Sequence, residues 1–261
     1  MRTEIFINQG IHESRIAILE DGRLSEIWVE RPENERMVGD VYKGTVTAVL
    51  PGLQAAFVEI GHERTAFLQV RDMIEAENSD SDSSGGGRRS RHRSFPNIQS
   101  LIKKGEQVLV QVTKEPISTK GARVTTQLSL PGRFMVLVPG GNWVGVSRKI
   151  SSFNERKRLR DLVTKIKPSG YSVIVRTEGK NQSDREFKRD MKQLVRNYER
   201  LIKVNKKATS PAQAHKEMGM TSSIIRDLFT DNVDRLVVDD RELYREITSY
   251  LRQVSPELRK R

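Results

Sequence analysis

Cysteine is absent from the 261 residues, which excludes disulfides and any cysteine-ligated metal within the chain. The histidines are few and scattered, at His12, His62, His92 and His215, and none of their spacings is that of a zinc site. No apolar run is long enough to span or anchor in a bilayer, and no signal-type leader opens the sequence, so no membrane partner is expected and the chain reads as cytoplasmic. The G-x-x-x-x-G-K-[ST] phosphate loop and the G-x-S-x-G nucleophile elbow are both missing, which leaves nucleotide-loop and hydrolase readings without support. Acidic residues are also in deficit: 34 Asp and Glu stand against 46 Lys and Arg, a net charge of +12. That excess points to a polyanionic partner, of which a nucleic acid is the simplest. The length suffices for two or three domains with proper cores.

Aromatic residues make up only 6% of the chain, so two of them on a polar sheet face carry weight. They lie in the stretch from Val41 to Val70, VYKGTVTAVLPGLQAAFVEIGHERTAFLQV, which reads as three strands joined by tight turns. In the first strand Tyr42, Gly44, Val46, Ala48 and Leu50 share one face, and Lys43, Thr45 and Thr47 the other. In the second, Ala56, Val58 and Ile60 form the apolar set, which turns Phe57 to the opposite side. In the third, Ala66, Leu68 and Val70 are apolar and Phe67 falls with Thr65 and Gln69. A hairpin closed around Gly61 to Arg64 makes Phe57 and Phe67 direct or diagonal neighbours, with Lys43 and Arg64 beside them. Two readings are open: another element covers the rings, or they form a stacking platform for unpaired bases.

Residues 3 to 30 look like a three-strand meander with a turn at Asp21-Gly22. Residues 75 to 95, EAENSDSDSSGGGRRSRHRSF, have too little apolar surface to order themselves. They are a solvated spacer or a mobile basic arm within a domain. Strand patterning resumes at Val108, Val110 and Val112, and a glycine turn carrying Lys120 and Arg123 leads to a last strand. Five strands with a long excursion before the fourth fit an OB-fold barrel. Beyond it come a strand from Phe134 to Val138, a glycine-rich turn and strand, an amphipathic helix from Glu155 to Lys167 and a strand from Tyr171 to Thr177. Ser183 and Glu186 form a capping box for a long helix whose apolar stripe is Phe187, Met191, Leu194, Val195, Tyr198, Leu201 and Ile202, and whose other face is mostly Lys and Arg. After a helix near residues 221 to 230, LVVDD at 236 to 240 reads as a short buried strand and Arg241 to Val254 as a helix capped by Asp240. That strand has no partner nearby in sequence, so the two ends of the chain are expected to pack together around the inserted domains.

Five segments, YKGTVTAVLPGLQAAFVEIG, TAFLQV, KGARVTTQLSLPGR, GVSRKI and VIVRT, resemble the ribonuclease E and ribonuclease G family of bacterial endoribonucleases, with ribonuclease G the nearer in character. Beyond Ser210 the likeness is looser and keeps mainly His215, Glu217, Arg226 and Asp227. The resemblance implies an α+β multidomain fold. A ribonuclease-H-like domain would be split between residues 1–36 and 211–261, the second part truncated. An OB-fold RNA-binding domain of the ribosomal-protein-S-one type would occupy 37–130, and a small sensor domain for the RNA 5′ end 131–210. It implies Phe57 and Phe67 as base-stacking aromatics with Lys120, Lys43 and Arg64 as basic contacts. It further implies a 5′-monophosphate sensor made by Arg176 and Thr177, with Gly132 and Val136 lining the pocket and Arg148 nearby. Without the resemblance, Arg176 would read as a surface ion pair with Glu178.

Departures from the family's pattern bear on chemistry. The strand that carries a catalytic aspartate in active ribonuclease-H-like folds ends here in Asn8, and an amide cannot be the anionic ligand of a magnesium pair. The family's magnesium-binding aspartates and zinc-sharing cysteine pair match nothing in this sequence, so no catalytic and no metal residue is assigned within it. Mg²⁺ and Zn²⁺ are expected only of the complete enzyme, which would be a homo-oligomer. The expected function is the RNA-recognition half of a single-strand-specific endoribonuclease of RNA processing and decay, binding 5′-monophosphorylated single-stranded RNA. The alternative is a free-standing RNA-binding module without chemistry of its own. A DNA-binding protein is the weaker third reading, because no helix presents a groove-reading pattern.

Overall fold

The computed structural model describes residues 2–31, 36–74, 95–217, 219–229, 232–254 and 258. The low-complexity segment at 75 to 95 lies outside the described residues except for Phe95, which is exposed.

The chain begins with the meander β1 (Thr3–Gln9), β2 (Ser14–Glu20) and β3 (Arg23–Glu30). Asp21 and Gly22 both have positive φ, 49° and 77°, as a twisted two-residue hairpin turn requires. Ile5, Ile7 and Ile16 point to one buried face.

The barrel follows, made from β4 (Val41–Leu50), β5 (Ala55–Glu59), β6 (Ala66–Gln69), the single-turn α1 (Ile98–Leu101), β7 (Gln107–Lys114) and β8 (Arg123–Thr125). The hydrogen-bonded order is β4-β5-β6-β8-β7, and β7 pairs back onto β4 with Tyr42 opposite Val110, which closes five strands on themselves. Its core holds Val46, Val58, Ala66, Leu68, Val110 and Val124. The expected parity holds as far as Val46 and then changes. Val46 faces Val58 but Ala48 faces Phe57, so Thr47 is an extra residue in β4, a bulge. Past it Val49, not Ala48 or Leu50, packs on the core, and Ala48 joins the side that carries Phe57.

The next unit contains β9 (Leu130–Pro131), β10 (Met135–Val146), α2 (Phe153–Ile166), β11 (Tyr171–Val175) and α3 (Asp184–Lys207). The strand expected at 134 to 138 and the one after the glycine turn both lie against β11: Val173 is in register with Leu137 and with Val144, and Val175 with Met135 and with Val146. The glycine turn between them uses φ of 86° and 62° at Gly140 and Gly141. The capping box of α3 forms as read, Ser183 accepting from the Glu186 amide and Glu186 from the Ser183 amide. Leu159, Val163, Phe187, Met191 and Leu194 fill the space between helices and sheet.

Chain after α3 returns to both earlier units. β12 (Ala212–His215) adds to the half of β4 that β5 leaves unpaired, Gln213 opposite Tyr42; no pattern in those four residues announces a strand. After α4 (Met220–Leu228) comes β13 (Arg235–Val238), half-buried rather than fully buried, and then α5 (Arg241–Val254), where Asp240 accepts from the Leu243 amide at 2.7 Å. β13 runs parallel to β1, Ile5 opposite Leu236, giving a sheet of order β13-β1-β2-β3. Residues from both ends of the chain therefore share one core, Ile5, Ile7 and Ile16 with Ile224, Ile225, Phe229, Ile247 and Leu251.

Candidate nucleic-acid interface

The outer face of the β5–β6 hairpin places Phe57 directly opposite Phe67. Their ring centroids are 6.0 Å apart at an interplanar angle of 62°, an edge-to-face pair. Both rings are partly exposed and neither belongs to the barrel core, so the covering element that would make them structural does not bury them. The other end of the same face is covered. Lys43 donates to the carbonyls of Asn205 (3.1 Å) and Ala208 (2.8 Å), and the hydroxyls of Thr45 and Ser210 meet at 2.7 Å. The ammonium of Lys43 thus caps the C-terminus of α3, where cations are favoured.

Lys120 and Arg64 stand on the other flank. Lys120 is exposed in the loop before β8, and that loop lies flat on the β5–β6 hairpin because a Cβ at Gly121 would come within 2.0 Å of the Thr65 carbonyl oxygen. Arg64 donates to the Ser118 carbonyl in the same loop. Arg123, opposite Phe67 in register, is held by both oxygens of Asp72 and by Gln69. Sequence reasoning placed Arg123 only in a turn, and its neighbour Phe67 becomes visible once β6 and β8 pair.

The second cluster surrounds Arg176, on the wall of a cleft of about 590 Å³ lined by residues of β3, the barrel entrance, the β9–β11 unit and the segment from Lys216 to Leu228. Its guanidinium donates at 2.7 Å to the Gly132 carbonyl and at 2.7 Å to Asp227, and lies 3.5 Å from Glu178. The ion pair with Glu178 is therefore present, but Asp227 is the nearer carboxylate. Thr177 points elsewhere, its hydroxyl 3.0 Å from that of Ser147, next to exposed Arg148. Val136 sits opposite Ile174, the residue two before Arg176 on that side of β11. The structure thus joins Gly132 to Arg176 directly, whereas Thr177 meets the turn that carries Arg148.

Gly132 has a second constraint. Asp190, buried on α3, accepts from the amides of Arg133 (3.2 Å), Phe134 (2.9 Å) and Met135 (3.1 Å), and a Cβ on Gly132 would fall 2.6 Å from its Oδ1. Burial pushes the Asp190 carboxyl above the usual carboxylate range, against the pull of these three donors and of Arg176. An acid beside the apolar stripe of α3 was the one sequence signal for this role.

Arg226, itself buried, extends the charge cluster by bonding Asp227 (2.9 Å) and Glu217 (3.1 Å). Burial alone would raise both carboxylates, yet both lie below their ordinary values: His215 and Arg226 hold Glu217 down, and Arg176 and Arg226 hold Asp227 down. A folded-state pKa below the unfolded one means stabilisation that is present above the ordinary range and lost as pH falls through the folded values. Acidification below about pH 4 should therefore loosen this junction. Asp227→Asn should flatten that part of the pH dependence of the unfolding midpoint, and an unchanged profile would remove the assignment. Among the described residues no group of three or more His, Asp and Glu side chains is placed to hold a metal ion, so no step through magnesium is assigned to them. Nor is any helix there long and apolar enough to cross a membrane.

A closed five-strand barrel that presents paired aromatics on an open face defines a protein of the oligonucleotide-binding class. A family model of the S1 RNA binding domain matches residues 35–126, and one of the Ribonuclease E/G family matches residues 129–261. The chain is 33% identical over 258 residues to Ribonuclease G of Escherichia coli and 34% identical over 255 residues to Ribonuclease G of Haemophilus influenzae, covering 99% and 98% of this chain. Ribonuclease E of a Nostoc species is 34% identical over 240 residues, 92% of this chain. The protein belongs to the Ribonuclease E/G family. It spans 52% and 51% of the two Ribonuclease G relatives and 33% of the Ribonuclease E.

Proposed function

We propose that this chain is the RNA-recognition half of a single-strand-specific endoribonuclease, gripping unpaired RNA on the barrel and reading its 5′ end beside Arg176. The observation that carries the reading is the Phe57–Phe67 pair, partly exposed on an S1-type barrel in a chain of a ribonuclease family. Every base has a face to lay on a ring, so such a platform takes single strands with little regard to sequence. Lys120 and Arg64, on the flanking loops, would add phosphate contacts, while Lys43 is engaged by α3 and would act through the fold.

For the 5′ end, the guanidinium of Arg176 can fork onto two oxygens of a monophosphate. The phosphate would take the places now held by Asp227 and Glu178. Thr177 could supply a further bond once released from Ser147, with Gly132 and Val136 as walls and Arg148 at the rim. The pairing of β13 with β1 supports assigning residues 1–36 and 211–261 to one split ribonuclease-H-like domain, with 37–130 and 131–210 inserted in it. Hydrolysis, its magnesium, a zinc shared through cysteines, and homo-oligomerisation are assigned to the complete protein, working on ribosomal and messenger RNA in the cytoplasm. These 261 residues alone would bind RNA without cutting it.

Arg176→Ala tests the sensor. The affinity ratio between 5′-monophosphate and 5′-hydroxyl forms of one RNA should exceed 1 for the unaltered chain and fall to about 1 in the variant, a charge-assisted pair having been removed. A ratio that survives in a folded variant would return Arg176 to a purely structural role.

A further inference from the structure

We infer that the exposed face of α3 is a phosphate track for RNA leaving the barrel, a contact surface separate from both sites above and resting on the RNA-binding reading. Arg185, Lys188, Lys192, Arg196, Arg200 and Lys203 are all exposed and recur at intervals of three or four residues. At 3.6 residues per turn they fall within an arc of about 120° along a helix roughly 36 Å long. Lys206 and Lys207 continue the arc through the last turn, and Glu199 is the one carboxylate inside it. Among the described residues none of these eight cations is held in an ion pair or a side-chain hydrogen bond.

The helix's own needs do not explain such a ridge. Cations in the last turn complement the helix dipole, which accounts for Lys206 and Lys207. Lys188, Lys192, Arg196 and Arg200 lie in mid-helix four residues apart, and like charges at that spacing oppose helix formation. The internal support of α3 comes instead from its capping box and its apolar stripe. A row of unpartnered cations on a rigid rod complements a polyanion, and its position says which one. The C-terminus of α3 abuts the barrel through Lys43, whose ammonium binds the carbonyls of Asn205 and Ala208, and through the contact of Ser210 with Thr45. Lys43 and Thr45 lie on the same side of the barrel as Phe57. The track therefore begins where the stacking face ends, and a strand longer than the barrel can hold meets the ridge next.

The test uses the whole 261-residue chain and RNAs with a 5′-hydroxyl, which leave the Arg176 site out of play. One RNA, of about 6 nucleotides, is sized for the barrel alone, and the other is several times longer. Lys188→Glu with Lys192→Glu and Arg196→Glu should weaken the long RNA by about tenfold or more and lower its salt slope by about 0.7 for each phosphate no longer neutralised. Binding of the short RNA should not change. The corresponding triple glutamine variant should show a smaller loss in the same direction, and circular dichroism should show α3 intact in both. Unchanged affinity and slope for the long RNA in folded variants would overturn the inference. So would variants that lose binding to phosphatidylglycerol vesicles while keeping the long RNA, since the ridge would then serve a membrane surface. Failure of the short RNA to bind the unaltered chain would count against the barrel reading, whereas the difference between long and short RNA reports on the ridge.

Discussion

Alanine at both Phe57 and Phe67 is expected to weaken single-stranded RNA binding by about 1–3 kcal/mol for each base that no longer stacks. The double variant should leave the fold in place, because the two rings lie outside the barrel core and make their edge-to-face contact with each other. Loss of the edge-to-face contact costs about 0.5–1.5 kcal/mol of stability, in addition to the apolar area that the two half-buried rings cover. Equilibrium titration with a short unstructured RNA and a thermal melt of the same preparations separate the two effects. Full affinity in a folded double variant would refute the platform. A loss shared equally by duplex and single-stranded RNA would show that the rings do not select unpaired bases by stacking.

Asp190→Asn is expected to cost about 2–4 kcal/mol of stability, the larger effect for a change of so few atoms. Oδ1 accepts from Arg133 and Oδ2 from Phe134 and Met135, so both oxygens are acceptors. An amide must turn its NH₂ toward one of those N–H groups, leaving buried donors face to face. Relaxation is restricted because Gly132 already sits against the carboxylate. The same loop supplies the Gly132 and Phe134 carbonyls that hold Arg176, so end discrimination should fall together with stability. Denaturant unfolding checks the first effect; a shift below about 1 kcal/mol would mean that the three amide bonds contribute little net stability.

How much of this could be read in advance depended on how local the cause was. The Phe57–Phe67 pair follows from alternation along two short strands and one turn, and the capping box of α3 from Ser183 and Glu186 at their spacing. The bulge at Thr47 escaped because nothing in VTAVL marks an inserted residue; closure of the barrel sets its place. β12 escaped because its four residues become a strand only where β4 offers a free edge. For the charged residues of the candidate sites, residue types were legible and partners were not. Arg176 could be read beside Glu178, two residues on, but Asp227, 51 residues away, is its shorter contact. Lys43 likewise looked like a contact for ligand, and its partners on α3 lie more than 160 residues away.

The parallel pairing of β1 with β13 also sets the order in which the molecule can form. Residues 3 to 9 leave the ribosome well before their neighbour, Arg235–Val238, which is made more than 220 residues later. At about 5–20 residues per second, β1 waits on the order of 10–45 s with one edge open. During that interval the barrel can close, since the ring of pairings is made by β4 to β8 alone and β12 adds to the edge of β4 afterwards. Contacts of such long sequence separation are slow to form, and an unpaired strand edge is a template for wrong partners. The exposed Leu24, Ile27 and Val29 of β3 add to that hazard on the far side of the same sheet. Truncation before Arg235 should therefore leave a soluble barrel attached to an aggregation-prone meander.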